Sequence, residues 1–334
     1  MQNPASSECG EGIPIAIEEN ATHPKYGSAL KGILLLTLLS LFWGLAWPAM
    51  KIVLSEVRPW TFRTICLLAG GGGLLALARM AGSGLKIPLE DLKPLLITAL
   101  FNITGWHMFS AYGIARMHAG RAAILAYTMP IWAILLSRLM LREKLTAVRL
   151  FALTFGFAGL FLLLWPDIRS VEAAPEGALF ILGAAFCWAA GTVMIKFFTW
   201  HMPVSTVMGW QLLLGGIPVV FGAFLIEPLA AILGVSWNVW LALIFIVSLP
   251  IIFCHWAFFT VVQIFPASVA ALSTLAVPAI GVFSSALLLG EPIEIYELAA
   301  LGLVVVSLGL TGSNFSERRR AAEAMIRRGG INGG

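Results

Sequence analysis

Two stretches of the chain decide the fold: FWGLAWPAMK at residues 42–51 and CWAAGTVMIK at residues 187–196. Both are apolar, and each carries a tryptophan at its second position and a lysine at its last, so they align with a shift of 145 residues (43 to 188, 51 to 196). Further along the chain the shift becomes 148 residues, and it pairs Arg63 with Gln211, His107 with His255, Pro130 with Pro278 and Glu143 with Glu291. The sequence therefore predicts an internal duplication.

The composition is that of a membrane protein. Of the 334 residues, 59% are hydrophobic and 11% are charged, which lies far outside the range of soluble domains. A helix needs about 20 apolar residues to cross a bilayer. The apolar windows therefore predict ten spans: Gly32–Val53, Trp60–Met80, Leu92–Ala115, Ala119–Leu141, Leu150–Trp165, Gly177–Phe198, Val204–Ile226, Trp237–Ile264, Ala267–Leu289 and Ile295–Gly312.

Each copy of the duplication holds five of these spans, so the second copy enters the membrane from the opposite side. We therefore predict an all-α integral membrane protein with ten transmembrane helices, arranged as two inverted five-helix repeats around a central cavity. The predicted first half is 31–166 and the second half is 176–313, joined by a linker at 167–175. A disordered cytoplasmic tail, 1–30, and a basic cytoplasmic tail, 314–334, complete the chain.

The positive charges predict the orientation. If the N-terminus lies in the cytoplasm, most of the 21 lysine and arginine residues fall on the cytoplasmic side, as the positive-inside rule requires. We expect a multi-pass protein of the cytoplasmic (inner) membrane with both termini in the cytoplasm. The basic tail is expected to meet anionic lipid and not nucleic acid. The four cysteines have no metal-ligand spacing, so neither a metal nor a cofactor is expected.

Short motifs recur in both halves. The first half has Phe42-Trp43-Gly44 with Lys51, Thr61-Phe62-Arg63, and Tyr127-Thr128-Met129-Pro130 running to Glu143; the second half has Cys187-Trp188-Ala189 with Lys196, and Val277-Pro278 running to Gly290-Glu291-Pro292. In this order and spacing they resemble the EamA type of the drug/metabolite transporter superfamily. The resemblance implies a cavity lined by the first four helices of each half, and commonly export of amino acids or other small metabolites. It does not identify a substrate.

Aromatic and basic residues form a stripe on the first span of each half. Trp43, Trp47 and Lys51 are spaced by four residues and so share one helix face, and Trp188 and Lys196 repeat the pattern. Such a stripe would suit an amphipathic substrate, through stacking on the rings and a salt bridge to a carboxylate. The alternative is that the tryptophans pack between helices while each lysine extends to the membrane interface.

Two histidines lie in the middle of predicted spans. His107 follows Trp106, His255 precedes Trp256, and all four are candidates to line the cavity, because polar groups at that depth need protein or water partners. Histidine titrates near neutral pH, which makes the proton a candidate coupling ion. The alternative is a neutral histidine hydrogen-bonded to a carbonyl or to Asn102.

Arg63 and Gln211 occupy equivalent places in the second span of each half. A guanidinium can hold a carboxylate through two parallel hydrogen bonds. The alternatives for Arg63 are that it extends to the outer headgroups or pairs with Glu56. Gln211 is expected to be a hydrogen-bond donor in the cavity or between helices.

Prolines and glutamates mark the fourth span of each half. Pro130 and Pro278 each remove a backbone hydrogen bond within a span, which predicts a hinge or gate; a static kink is the alternative. Glu143 and Glu291 follow the ends of these spans. We expect them to cap neighbouring helix N-termini and not to bind ions.

These observations favour a secondary transporter, and by resemblance an exporter, that moves small organic metabolites such as amino acids by alternating access, as a monomer or homodimer. The expected partners are a small-molecule substrate and the lipid bilayer. One alternative is a membrane-embedded enzyme, but the mid-span histidines lack a carboxylate partner there. The other is a channel, which needs a wet polar lining that the tryptophan-rich interior argues against.

Overall fold

The computed structural model describes residues 26–141, 146–169, 176–227, 234–258, 276–307 and 309–310. Every regular element within these ranges is a helix, which confirms the all-α class for the described part of the chain. The helices are α1 (Tyr26–Leu54), α2 (Pro59–Met80), α3 (Leu89–Ala99), α4 (Trp106–Arg116), α5 (Ala119–Ala126), α6 (Met129–Met140), α7 (Ala147–Arg169), α8 (Glu176–Phe197), α9 (Val204–Ile226), α10 (Trp237–Ile246), α11 (Ala276–Leu289) and α12 (Ile295–Ser307).

Six helices in the described part are long and apolar enough to cross a membrane. The protein is therefore a membrane protein with several spanning helices. The count of ten stays a prediction, since part of the ninth window and the ends of others lie outside the described residues. The six are Leu34–Leu54, Pro59–Met80, Ala119–Met140, Glu176–Phe197, Ser205–Ile226 and Trp237–Phe258, and shorter apolar helices cover Leu150–Leu163, Ala276–Leu289 and Ile295–Ser307.

The fourth predicted span is broken in its middle. A turn at Tyr127 and Thr128 separates α5 from α6, and Pro130 lies at the start of α6. Proline has no N–H to donate to the carbonyl of Ala126, so the helix cannot run through this point with its usual hydrogen bonds. The break therefore has a local cause in the sequence.

Two spans contain one wider helical turn each. Leu100–Gly105 is a π-helical turn that joins α3 to α4, and Val247–Phe253 is a π-helical turn that follows α10. A shift of 148 residues carries the first turn onto 248–253, within the second. Pro250 accounts for part of the second turn, because it cannot donate the helical hydrogen bond. Such turns are frequent at functional sites.

The helices pack mainly between the two halves of the sequence. The long α2 lies along α9, α1 lies against α11, and α8 lies against α4 and α6. Thus the second helix of one half packs on the second helix of the other. Glycines allow this approach: a Cβ on Gly71 of α2 would come within 2.8 Å of the Leu213 side chain of α9. The two halves are therefore interleaved and do not form separate bodies.

The connections between helices gather at two ends of the bundle. At the first, here named the Glu227 end, the Glu227 carboxylate accepts hydrogen bonds from the backbone N–H groups of Trp60 (3.1 Å) and Thr61 (2.8 Å) and from the Thr61 hydroxyl (2.6 Å). At the same end, Glu291 accepts from the N–H groups of Ala119 (2.8 Å) and Gly120 (3.1 Å). Both carboxylates thereby cap a helix N-terminus of the first half.

The opposite end, here named the His201 end, holds a matching contact. Asp91 is fully buried and accepts from the backbone N–H of His201 at 2.9 Å. At the Glu227 end, Glu56 accepts from the backbone N–H of Ser236 at 2.6 Å. Residues 56 and 201 are 145 positions apart, and both lie in the loop after the first helix of a half. Asp91 and Ser236 both lie at the start of the third span of a half. Each contact therefore joins the first loop of one half to the start of the third span of the other half, with the carboxylate on the span at the His201 end and on the loop at the Glu227 end.

Candidate functional site

Arg63 is the central charged residue of the interior. Only 2% of it is exposed. Its Nε donates to the His107 carbonyl (3.0 Å), and its Nη2 donates to Ser110 Oγ (2.8 Å) and to Met50 Sδ (3.3 Å). The guanidinium therefore turns inward from its place near the start of α2. It neither extends to a headgroup region nor pairs with Glu56, whose carboxylate bonds to another loop.

Gln211, at the equivalent position of α9, is fully buried in a different polar cluster. Its Nε2 donates to Thr98 Oγ1 (2.9 Å), and its Oε1 accepts from Asn102 Nδ2 (3.3 Å). The Asn102 Oδ1 is buried and has no hydrogen-bond partner in the described part of the chain. Arg63 and Gln211 thus both bond to the same span, the one formed by α3 and α4.

The two histidines differ in how their rings are satisfied. His255 Nδ1 lies 2.6 Å from the Ile251 carbonyl and must carry a hydrogen, because a carbonyl oxygen only accepts. His107 is buried, and its Nδ1 has no partner among the described residues. The Arg63 guanidinium donates to the His107 carbonyl, so these two basic residues lie together in the interior.

Two aromatic pairs join the halves beside this region. The rings of Trp106 and Trp188 are 5.0 Å apart between centroids, and those of Trp43 and His255 are 6.1 Å apart. The Trp43 indole Nε1 also donates to the Pro250 carbonyl at 3.0 Å, on the second π-helical turn. Each pair thus links the first helix of one half to the third span of the other.

Two other candidate tryptophans lie apart from these pairs. Trp47 is 4% exposed and packs in the core, with its ring beside Gly281 of α11. Trp256 is 41% exposed, on the outside of the described bundle. The structure therefore brings Trp43, Trp106 and Trp188 close to the polar interior and leaves Trp256 at the surface.

The predicted charged residues lie at the ends of helices. Lys51 Nζ donates to the carbonyls of Ile114 (2.8 Å) and Met117 (2.8 Å), which ties it to the C-terminal turn of α4 and to the residue after it. Cations are favoured at that end of a helix. Lys196 is exposed near the end of α8. Glu291 caps α5, whereas Glu143 lies outside the described residues.

The prolines predicted as hinges lie in different settings. Pro130 is at the break between α5 and α6 and is half-buried. Pro278 is a buried residue near the start of α11, next to residues that the structure does not describe.

Sequence reasoning missed several residues of this interior. Ser110, Met50 and Thr98 bond to Arg63 or Gln211, yet each is an ordinary residue of an apolar helix. Glu227 was also missed as a cap, because its partners are more than 160 positions away. Its place directly after a long apolar window was a usable signal, since a carboxylate there needs donors.

Comparison with known proteins supports a family assignment. The profile of the EamA-like transporter family matches residues 30–165 and again residues 175–313. The chain is 27% identical over 282 residues to the uncharacterized transporter YoaV of Bacillus subtilis, covering 84% of this chain and 96% of that protein. It is 24% identical over 287 residues to a probable amino-acid metabolite efflux pump of Salmonella typhimurium, covering 84% and 94%.

A solved structure has the same fold. One crystal structure superposes with a TM-score of 0.58 at 21% identity and covers 82% of this chain and 95% of that chain. A second Bacillus subtilis relative, the uncharacterized transporter YvbV, is 30% identical over 294 residues, covering 86% of this chain and 94% of that protein. Together with the two profile matches, this shows that the chain belongs to the EamA-like transporter family.

Proposed function

We propose that this chain is a secondary transporter that exports small organic metabolites, amino acids among them, across the cytoplasmic membrane by alternating access. The observation that carries the proposal is the pair of loop contacts, Glu56 with Ser236 and Asp91 with His201, which join equivalent segments of the two halves at opposite ends. Two equivalent contacts at opposite ends are what inverted repeats produce. Inverted repeats support alternating access because each half can adopt the other's conformation.

The proposed architecture is ten transmembrane helices in two inverted five-helix repeats, 31–166 and 176–313, around a central cavity. Both termini lie in the cytoplasm, so the Glu227 end faces outward and the His201 end faces inward. Arg79, Lys86 and Lys93 support this orientation, since all three are exposed near the His201 end.

The proposed substrate path runs between the two aromatic pairs. Trp43, Trp106 and Trp188 would contact the apolar part of a substrate, and His107 and His255 would contact its polar part. Proton coupling through His107 is part of the proposal, because its ring nitrogen lacks a partner within the described chain. Pro130 and Pro278 are the proposed hinges, and a monomer or homodimer is the proposed assembly.

Export of amino acids is supported by the relatives' names. The Salmonella typhimurium relative and an Escherichia coli relative, 25% identical over 299 residues, are both named probable amino-acid metabolite efflux pumps. The names describe those proteins. For this chain they identify the substrates to test first.

Counterflow in proteoliposomes tests the proposal. Vesicles containing purified protein are loaded with an unlabelled amino-acid mixture and diluted into trace labelled amino acids. A transporter accumulates label transiently and saturably; a channel equilibrates label without trans-stimulation, and an enzyme alters the compound without moving it. Trp188→Ala should reduce counterflow, whereas the control Trp237→Ala, at a side chain that is 70% exposed, should not.

A further inference from the structure

We infer that Arg63 is the residue that recognises the substrate's charge, and that the transported class is organic carboxylates, zwitterions included. The inference rests on the proposed transport function and adds a substrate class and a binding residue to it. Its basis is a buried cation that has no anion of its own.

The first observation is the absence of a counter-ion. Arg63 is 2% exposed, and no carboxylate of the described residues lies within ion-pair distance of it. Its partners are a carbonyl, a hydroxyl and a thioether, all of them neutral. A cation buried without an opposite charge is strongly unfavourable, and intramembrane cations that are kept usually serve a ligand or an ion pathway.

The second observation is the unused edge of the guanidinium. A guanidinium has five N–H groups. In Arg63, Nε and Nη2 are engaged, but Nη1 makes no hydrogen bond within the described chain. One Nη2 partner is Met50 Sδ, a weak acceptor on a flexible side chain. A carboxylate that displaced this sulfur would bind Nη1 and Nη2 together, in the favoured bidentate geometry.

The third observation is the residue at the equivalent position. Gln211 fills the same place in the second half and is satisfied by Thr98 and Asn102, which are neutral. A buried amide thus suffices to pack and bond the second helix of a half at this point. Packing and hydrogen bonding at this position therefore do not require a charge. We assign the charge of Arg63 to the recognition of an anion.

The wild-type protein supplies a test that needs no substitution. Three acids are compared with their carboxamides: leucine with leucinamide, phenylalanine with phenylalaninamide, and lactate with lactamide. Each compound is tested as an inhibitor of counterflow and as a ligand that raises the unfolding temperature of the purified protein. We expect at least one acid to be effective at a concentration about tenfold or more lower than the concentration that its amide requires. Equal potency of acid and amide in every pair would overturn the inference.

Variants then assign the effect to one side chain. Arg63→Gln should abolish the acid's advantage, so that acid and amide act at the same concentration. Arg63→Lys should retain part of the advantage, because the charge stays and the bidentate geometry is lost. Arg79→Gln, the same change at an exposed residue of the same helix, should change nothing. Equal loss for acid and amide in Arg63→Gln would make Arg63 a helix anchor and overturn the inference.

The two proposals can fail separately. If no probe shows counterflow but acids stabilise the protein in an Arg63-dependent way, the transport proposal fails and carboxylate binding stands. If counterflow occurs with acids and amides alike, transport stands and the carboxylate inference fails. If Arg63→Gln does not fold, the acid and amide comparison on the wild-type protein decides.

Discussion

The third span of each half has the same backbone plan and different chemistry. Both spans contain a π-helical turn at equivalent positions, and both carry a histidine, His107 or His255, shortly after it. In the first half this span bonds to the buried Arg63 and Gln211 through polar groups. Those groups are Thr98, Asn102 and Ser110, whereas the residues 148 positions further along are Ile246, Pro250 and Phe258.

The comparison separates the features that both halves share from those that only the first half has. The π-helical turn and the histidine occur in both, so they belong to the frame that the duplication preserves. The polar partners occur only in the first half, so any recognition of a charged group is concentrated there. Two halves with the same backbone plan can exchange conformations during transport. The polar side chains that only the first half carries can meanwhile bind a charged group on one side of the substrate.

The largest expected effect concerns a cap present on only one of the two second helices. Glu227 caps α2, whereas no side chain in the described part of the chain accepts from the first backbone N–H groups of α9, which begins after Pro203. Glu227→Ala removes three hydrogen bonds to a buried carboxylate, and should lower the free energy of unfolding by roughly 3 kcal/mol. The unfolding temperature in detergent measures this, with Glu176→Ala, an exposed acid, as control. An unchanged temperature in Glu227→Ala would contradict the cap.

The next effect compares how the two π-helical turns are packed. A Cβ on Gly191 would lie 2.8 Å from the backbone Cα of Asn102, on the first turn, whereas one on Gly70 would meet the Ile251 side chain, on the second. The backbone moves less readily than a side chain. Gly191→Ala should therefore lower the free energy of unfolding by roughly 2 kcal/mol, and by more than Gly70→Ala does. Gly72→Ala, with no atom within 4 Å, is the control. Thermal unfolding ranks the three variants, and a larger loss in Gly70→Ala would reverse the comparison.

A smaller effect separates the two equivalent tryptophans. Trp43→Phe loses the hydrogen bond to the Pro250 carbonyl and should lower the free energy of unfolding by about 1 kcal/mol. Trp188 makes a ring contact with Trp106 and no indole hydrogen bond within the described chain, so Trp188→Phe should cost less. Unfolding temperatures measured in parallel check the order. Equal losses would mean that the Trp43 hydrogen bond contributes nothing.

The smallest effects should appear as opposite pH dependences of the Asp91–His201 and Glu56–Ser236 contacts. The hydrogen bond with Asp91 raises the pKa of His201, with the charges of Asp91 and Glu90 adding to it, so this contact stabilises fully below about pH 6.5 and is lost as the pH rises through the raised value. Hydrogen bonds from the Ser236 side chain and backbone lower the pKa of Glu56. That contact stabilises above about pH 4.5 and is lost as the pH falls through the lowered value.

Two conservative variants measure these dependences. His201→Gln should flatten the change in unfolding temperature that begins above about pH 6.5 and leave the change below about pH 4.5 as it is. Glu56→Gln should flatten only the change in unfolding temperature that begins below about pH 4.5. If both variants changed the same side of the profile, the assignment of the two contacts would be wrong.

Hydrophobicity was enough to predict most of the helix positions. The predicted window Val204–Ile226 coincides with α9, and the window Gly177–Phe198 is one residue displaced from α8. The break in the fourth span has a visible cause in Pro130. The first π-helical turn has none, because Leu100–Gly105 contains no proline and its apolar pattern does not distinguish a π turn from an α turn.

The interior was harder to predict than the frame. The position of Arg63 near the start of a span left an outward orientation open, and its burial depends on Ser110 and the His107 carbonyl, which reach it only in the folded protein. Family membership followed from the order and spacing of the motifs and is confirmed by the profile matches. The substrate, the direction of transport and the membrane orientation stay predictions.

Labelling two equivalent residues tests the central claim, that the halves cross the membrane in opposite directions. Glu56 and His201 are exposed, 145 positions apart, and at opposite ends of the bundle. In a Cys9→Ser background, where Cys66, Cys187 and Cys254 are buried, each is replaced by cysteine and treated with a membrane-impermeant maleimide. The account predicts that Glu56→Cys is labelled in intact cells and His201→Cys only after permeabilisation. Labelling of both residues from the same side would contradict it.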